Sequence, residues 1–151
     1  MDWSLFLTFL AACGAAAATG AMIQPGDWYD ALQKPSWNPP RWVFPVVWTS
    51  LYLLMSYSAM RVAGAEGNGQ ALAFWAMQIA FNTLWTPIFF GQHRMRAAMV
   101  VMVGLWLSVA ATTWTFFGVD WVAGLLFAPY LVWVSIAGVL NLTLIRLNPD
   151  K

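Results

Sequence analysis

Three sets of side chains in this chain have the types and spacing to hold a ligand, and all three are aromatic or amide rather than ionic. At about 100° per residue along a helix, Gln78, Asn82, Trp85 and Phe89 fall on one face. Tyr130, Trp133, Ala137 and Asn141 follow i, i+3, i+7, i+11 spacing, while Trp48, Tyr52 and Met55 form a similar stripe. Aromatic walls with a few polar groups suit a hydrophobic ligand, and Ala137, one turn beyond Trp133, leaves room beside that ring. The same stripes also suit a packed core, so spacing alone leaves both readings open. Other chemistry is missing. No pair of carboxylates is available for buried acid–base work. The one histidine, His93, lies between Gly91 and Arg94, a place for a solvated rim residue rather than a metal ligand. The one cysteine, Cys13, excludes a disulfide within the chain.

The elements that must carry these faces are legible from the charges. All seven basic and six acidic residues lie outside five long uncharged, mostly apolar stretches. Arg41 and Arg61 bracket the second, Arg96 and Asp120 the fourth, Asp120 and Arg146 the fifth. A hydrocarbon layer roughly 30 Å thick needs about 20 apolar residues in helical form. The expectation is therefore an all-α membrane protein, residues 1–151 forming one five-helix domain, with spans of about 4–23, 42–60, 71–90, 97–117 and 122–145. Only 9% of residues are charged, against about 25% in ordinary soluble domains. The net charge of +1 gives no reason to expect a nucleic-acid partner. No charged side chain lies mid-span, where proton relays and ion pathways place them, which disfavours a proton-coupled pump.

The connection before the second span is long, stiffened by Pro25, Pro35, Pro39 and Pro40, and aromatic through Trp28, Tyr29 and Trp37. Long connections in compact proteins are usually lids or binding loops. A short helix over Asp27–Gln33, capped by Asp27, is expected within it. With five spans, Lys34, Arg41, Arg94, Arg96, Arg146 and Lys151 fall on one side and only Arg61 on the other. Cytoplasmic loops carry such an excess, so the N-terminus is expected outside, with the long loop and C-terminus in the cytoplasm. Inner versus outer membrane stays open.

Of the eleven tryptophans, Trp3, Trp42 and Trp121 sit at span ends as interfacial belt residues, and Trp75 and Trp114 are assigned there too. Trp133 lies ~16 Å into its helix. Ala73, Ala76 and Ala80 lie opposite the Asn82 face, a smooth surface suited to another helix or a second copy of the chain.

The residues now assembled resemble the TspO/MBR family of tryptophan-rich sensory proteins and translocator proteins, also called peripheral-type benzodiazepine receptors. The loop reads WYDALQKPSWNPP from Trp28 to Pro40, followed by FPVVWTSLY from Phe44 to Tyr52. FNTLW runs from Phe81 to Trp85, PYLVWVSIA from Pro129 to Ala137, and LN follows at Leu140–Asn141. The resemblance covers nearly the whole chain and implies a bacterial-type, homodimeric five-helix bundle. It also implies a receptor, sensor or carrier for porphyrins such as protoporphyrin IX and haem, with sterols and benzodiazepine-type ligands bound by some members. No obligatory cofactor is implied.

The pocket implied by the resemblance comprises Tyr29, Trp48, Tyr52, Asn82, Trp85, Trp133 and Ala137. Trp37, Phe89 and Tyr130 are added as neighbours on the same loop and faces, and Lys34 and Arg41 as a rim for propionates. Trp48 and Trp133 match residues implicated in light-dependent porphyrin breakdown by some members, so an enzyme without a conventional catalytic residue is the alternative, and a passive porphyrin or sterol translocator is a third. In animal members the sterol-recognition segment has a central tyrosine followed by a basic residue. Here Leu142 stands at the tyrosine and Arg146 keeps the charge, which weakens the sterol reading.

Overall fold

The computed structural model describes residues 1–151, and every regular element in it is helical. The elements are α1 (Trp3–Met22), α2 (Asp27–Asp30), α3 (Val43–Ala63), α4 (Gly69–Thr86), α5 (Met95–Val119) and α6 (Trp121–Leu147). Four of them, α1, α3, α5 and α6, are long and apolar enough to cross a membrane. α4 is shorter, 18 residues, and carries Gln70, Gln78 and Asn82.

Large apolar side chains stand on the outside, among them Leu7, Val100, Val132 and Val139. In water such a surface would aggregate. In hydrocarbon it is the solvated face, and helices satisfy their own backbone groups there. The chain is an integral membrane protein.

Carboxylates start two of the helices. Asp2 Oδ1 accepts from the backbone N–H of Ser4 and Leu5 at 3.0 and 3.2 Å, and Asp120 Oδ1 accepts from Val122 and Ala123 at 3.0 and 3.3 Å. Each satisfies amides that a helix start leaves without partners. Asp120 also receives Arg61, whose Nε lies 2.8 Å from Oδ2. The end of α3 is thereby tied to the start of α6, away from the long loop.

α5 packs between α4 and α6, and α3 joins α1 to α6. Close approach rests on small residues, as packing in lipid requires. A Cβ on Gly104 would lie 2.7 Å from the Phe81 ring, and one on Gly124 would lie 2.4 Å from the Phe117 ring.

Helix ends shift from the expected positions by up to three residues, with two larger differences. The third stretch was expected as one helix over 71–90. Instead the α-helical pattern stops at Thr86 and a π-helical turn covers Pro87–Gly91. Pro87 has no N–H to continue the ladder, and the chain widens so that Gln92 N–H reaches Pro87 O at 2.9 Å. The loop helix is one turn, Asp27–Asp30, preceded by Gly26, so Asp27 opens it rather than capping it.

Trp75 also corrects the interfacial assignment. Its ring is 4% exposed and meets Phe9 of α1 edge-on, with centroids 5.0 Å apart. Trp75, Gln78 and Asn82 share i, i+3, i+7 spacing on the buried side of α4. Trp3, Trp42, Trp114 and Trp121 are exposed.

Candidate functional site

α3, α4 and α6 bring their aromatic and amide faces together. Asn82 is the hub: its Nδ2 donates to Tyr130 Oη at 2.6 Å, and Tyr52 Oη donates to its Oδ1 at 3.2 Å. The bond to Tyr130 is buried and the one from Tyr52 half-buried, so water does not readily replace the Tyr130 partner. Around this hub the Trp48 ring lies 5.5 Å from Tyr52, 6.1 Å from Tyr130 and 6.4 Å from Trp133, centroid to centroid. The two indoles meet at 89°, edge to face. Phe44 covers Trp133 from the start of α3 at 5.8 Å. Trp133 Nε1 is buried and has no acceptor. An indole N–H left unbonded in an apolar interior carries a desolvation cost.

The set continues toward the loop. Trp85 Nε1 donates to Asn141 Oδ1 at 3.0 Å, and Asn141 Nδ2 donates to Met95 O at 3.1 Å. Trp85 stacks on Phe89 at 4.7 Å and 21°. From the loop, Trp28 meets Phe89 at 5.8 Å and Tyr29 meets Phe90 at 5.3 Å. Burial pushes the Tyr29 hydroxyl up, against the opposing charge of Arg41, so it stays protonated near neutrality. Nowhere do three or more His, Cys, Asp or Glu side chains gather to hold a metal ion. The site offers ring faces, hydroxyls and carboxamides.

A model of the TspO/MBR family matches residues 5–147. The chain belongs to that family. It is 65% identical to the tryptophan-rich sensory protein of Cereibacter sphaeroides, over all of this chain and 96% of that one. It is 56% identical to the protein CrtK of Rhodobacter capsulatus, over all of this chain and 97% of the other. It is 34% identical to the human translocator protein, over 97% of this chain and 91% of that protein.

In this TspO/MBR chain most of the expected ligand-binding residues fall in one continuous set. Trp48, Tyr52, Trp85, Trp133 and Ala137 pack against the central core, while Tyr29 and Phe89 belong to the adjoining cluster under the loop. Trp37 does not join them. It is 46% exposed and borders an outward-facing groove of about 500 Å³ with Ser135, Ile136 and Val139.

The two rim cations are already engaged inside the loop. Lys34 Nζ donates to the Tyr29 and Leu32 carbonyls at 2.7 and 3.2 Å and sits 4.6 Å from the Tyr29 ring centre. Arg41 pairs with Asp30. Ala73, Ala76 and Ala80 face outward on α4.

Three participants escape the helical-face reading. Phe44 and Phe90 extend the ring cluster; Phe44 opens the FPVVWTSLY motif, and Phe90 follows Phe89, whose spacing did draw attention. His93, in a left-handed conformation at φ 56°, stacks on Trp28 at 4.4 Å and 9°. Its position between Gly91 and Arg94 signals a turn, not a platform.

Proposed function

We propose that this chain is a membrane receptor, acting as a sensor or carrier, that binds porphyrin-type tetrapyrroles among Trp48, Tyr52, Asn82, Tyr130 and Trp133. The observation that carries the reading is the convergence of two indoles and two phenols from α3 and α6 upon one amide of α4. Such a surface recognises a broad, flat, apolar molecule with a few polar atoms, because rings supply contact area and the amide supplies direction. The unbonded Trp133 indole N–H is a donor awaiting an acceptor. The relatives named as tryptophan-rich sensory proteins support the sensor role, and those named as translocator proteins support a carrier.

The proposed frame has α4 as a fifth span, the N-terminus outside, and the long loop and C-terminus in the cytoplasm, after the bias of positive charge. The exposed alanines of α4 form a homodimer interface in this frame. An Ala76→Phe/Ala80→Phe variant is expected to sediment as a monomer in detergent. A dimer of unchanged stability in that variant would remove the interface.

The Trp48 and Trp133 rings touch each other, so a macrocycle enters only when they part. A flat guest is sandwiched only between ring faces held parallel and apart, and these rings are perpendicular. Propionates would require Lys34 or Arg41 to exchange its present partner. Exposed charge pairs contribute little, so ring contact dominates affinity.

Protoporphyrin titrated into the protein in detergent is expected to quench tryptophan emission saturably, at one molecule per chain. Linear, unsaturable quenching would overturn the reading. The contact between two oxidisable indoles favours a second reading, light-driven porphyrin breakdown with Trp48 and Trp133 as photoactive groups. It requires a distinct product under illumination; unchanged porphyrin would dismiss it.

A further inference from the structure

The C-terminal end of α6 is bonded to the loop by one side chain. Asn148 Oδ1 accepts from the backbone N–H of Gln33 at 2.9 Å, and Asn148 Nδ2 donates to the Gln33 carbonyl at 2.9 Å. The carboxamide therefore engages both polar groups of one residue, 115 positions away in sequence, as a neighbouring strand would. Its Nδ2 also donates to Leu144 O at 2.9 Å, which fixes its direction. Asn148 is 6% exposed. A surface asparagine would rotate freely; this one is held by three bonds in a shielded place.

The attachment sits where it controls the loop. Leu32, beside Gln33, is 5% exposed and belongs with Leu140 and Leu144 of α6 in one apolar cluster, together with Tyr29 and Phe89. The other loop anchors are local or exposed: Lys34 bonds to loop carbonyls, and Arg41 and Asp30 are both more than half exposed. Hence the bonds that run from the loop backbone to a helix distant in sequence are those of Asn148, at the end of α6. The loop's rings in turn cover Phe89 and Phe90, which adjoin Trp85, one turn along α4 from Asn82.

We propose that Asn148 is the latch of the loop: by gripping the Gln33 peptide it holds residues 27–41 across the aromatic cluster and sets how fast a hydrophobic ligand enters and leaves. The ligand half of this statement rests on the proposed tetrapyrrole reading; the latch itself does not. A latch acts on rates. Removing it speeds opening and therefore both association and release, while contacts to the bound molecule stay in place.

The test compares wild type, Asn148→Ala and Asn148→Asp in detergent. Asn148→Asp keeps an acceptor for the Gln33 N–H but sets a carboxylate against the Gln33 carbonyl. Amide hydrogen exchange over residues 27–41 is expected to speed up roughly tenfold or more in both variants, as buried hydrogen bonds are lost. Exchange in the middle of α5 should stay as in wild type. Protoporphyrin association and dissociation rates should rise by similar factors, leaving Kd within a few-fold.

Unchanged loop exchange would overturn the latch, as would an equal rise throughout α5, which marks general destabilisation. Faster loop exchange with unaltered binding rates, or with Kd weakened through release alone, would overturn its control of entry. If wild type binds no protoporphyrin, the tetrapyrrole reading fails, the entry half of the proposal fails with it, and the exchange data alone decide the latch.

Discussion

Protoporphyrin binding should weaken about 10- to 100-fold when Trp48 and Trp133 are both replaced by phenylalanine, and most of the tryptophan quenching should disappear with it. Each indole presents a larger face than a phenyl ring and, in Trp133, an N–H without a protein acceptor. Aromatic contacts are worth roughly 0.5–1.5 kcal/mol each beyond area burial, and about 1.4 kcal/mol is a factor of ten in affinity. Two such losses at one site make the expected range. Phenylalanine keeps the core filled, so the fold should survive, which circular dichroism and size-exclusion behaviour in detergent would check. Trp114, 81% exposed on α5, supplies the control: Trp114→Phe should leave affinity unaltered. Equal weakening in both variants would mean that porphyrin adheres to indoles wherever they are.

The second large effect lies at the opposite end of the molecule. Asp120→Ala removes the cap of α6 and the Arg61 pair together. Loss of an N-cap alone costs ~0.5–2 kcal/mol, so thermal or denaturant unfolding in detergent should register a clear drop. Asp120→Asn separates the two roles, because asparagine caps helices nearly as well but leaves Arg61 without a counter-charge.

The acid dependence follows from the same carboxylate. Burial alone would raise Asp120, but the Arg61 hydrogen bond, the Ala123 and Val122 amides and the Arg61 charge outweigh it and hold it below the usual carboxylate range. The lowered group binds fewer protons in the folded chain than in the unfolded one. Its contribution is therefore complete above the ordinary carboxylate value, about 4, and fades as pH falls through the folded value. Wild type should lose more stability than Asp120→Asn on acidification below that point. Identical acid profiles would show that the pair contributes nothing.

Much of this architecture is legible in the amino-acid sequence, because charge placement does the marking. Arg41 precedes α3, Arg61 lies in its last turn and Asp120 separates α5 from α6, since ionised groups are excluded from hydrocarbon. Pro87 shows where that logic stops. A proline near a helix end announces a lost N–H, but whether the chain breaks or widens into a π turn depends on the Gly91–Arg94 connection that follows. Trp75 shows another limit. Counting its distance from the end of a span assigns it to the interface, whereas its phase with Gln78 and Asn82 decides that it points inward.

The site divides the same way. Trp48, Tyr52, Tyr130 and Trp133 are recoverable from helical spacing because each stripe needs only its own helix. That Asn82 binds Tyr52 and Tyr130 at once depends on how three helices pack. The engagement of Lys34 with the Tyr29 and Leu32 carbonyls, and of Asn148 with Gln33, depends on how the loop folds back. Composition cannot reveal that. Lys34 and Arg41, the residues expected to meet a ligand's acids, are bonded within the loop in this structure.

The most direct measurement is the structure of the protein crystallised or imaged with protoporphyrin bound. The account predicts the macrocycle in van der Waals contact with Trp48 and Trp133, their rings parted, and an acceptor within hydrogen-bond distance of Trp133 Nε1. A macrocycle seated instead in the outward groove of Trp37, Ser135, Ile136 and Val139, with Trp48 and Trp133 still in mutual contact, would contradict it.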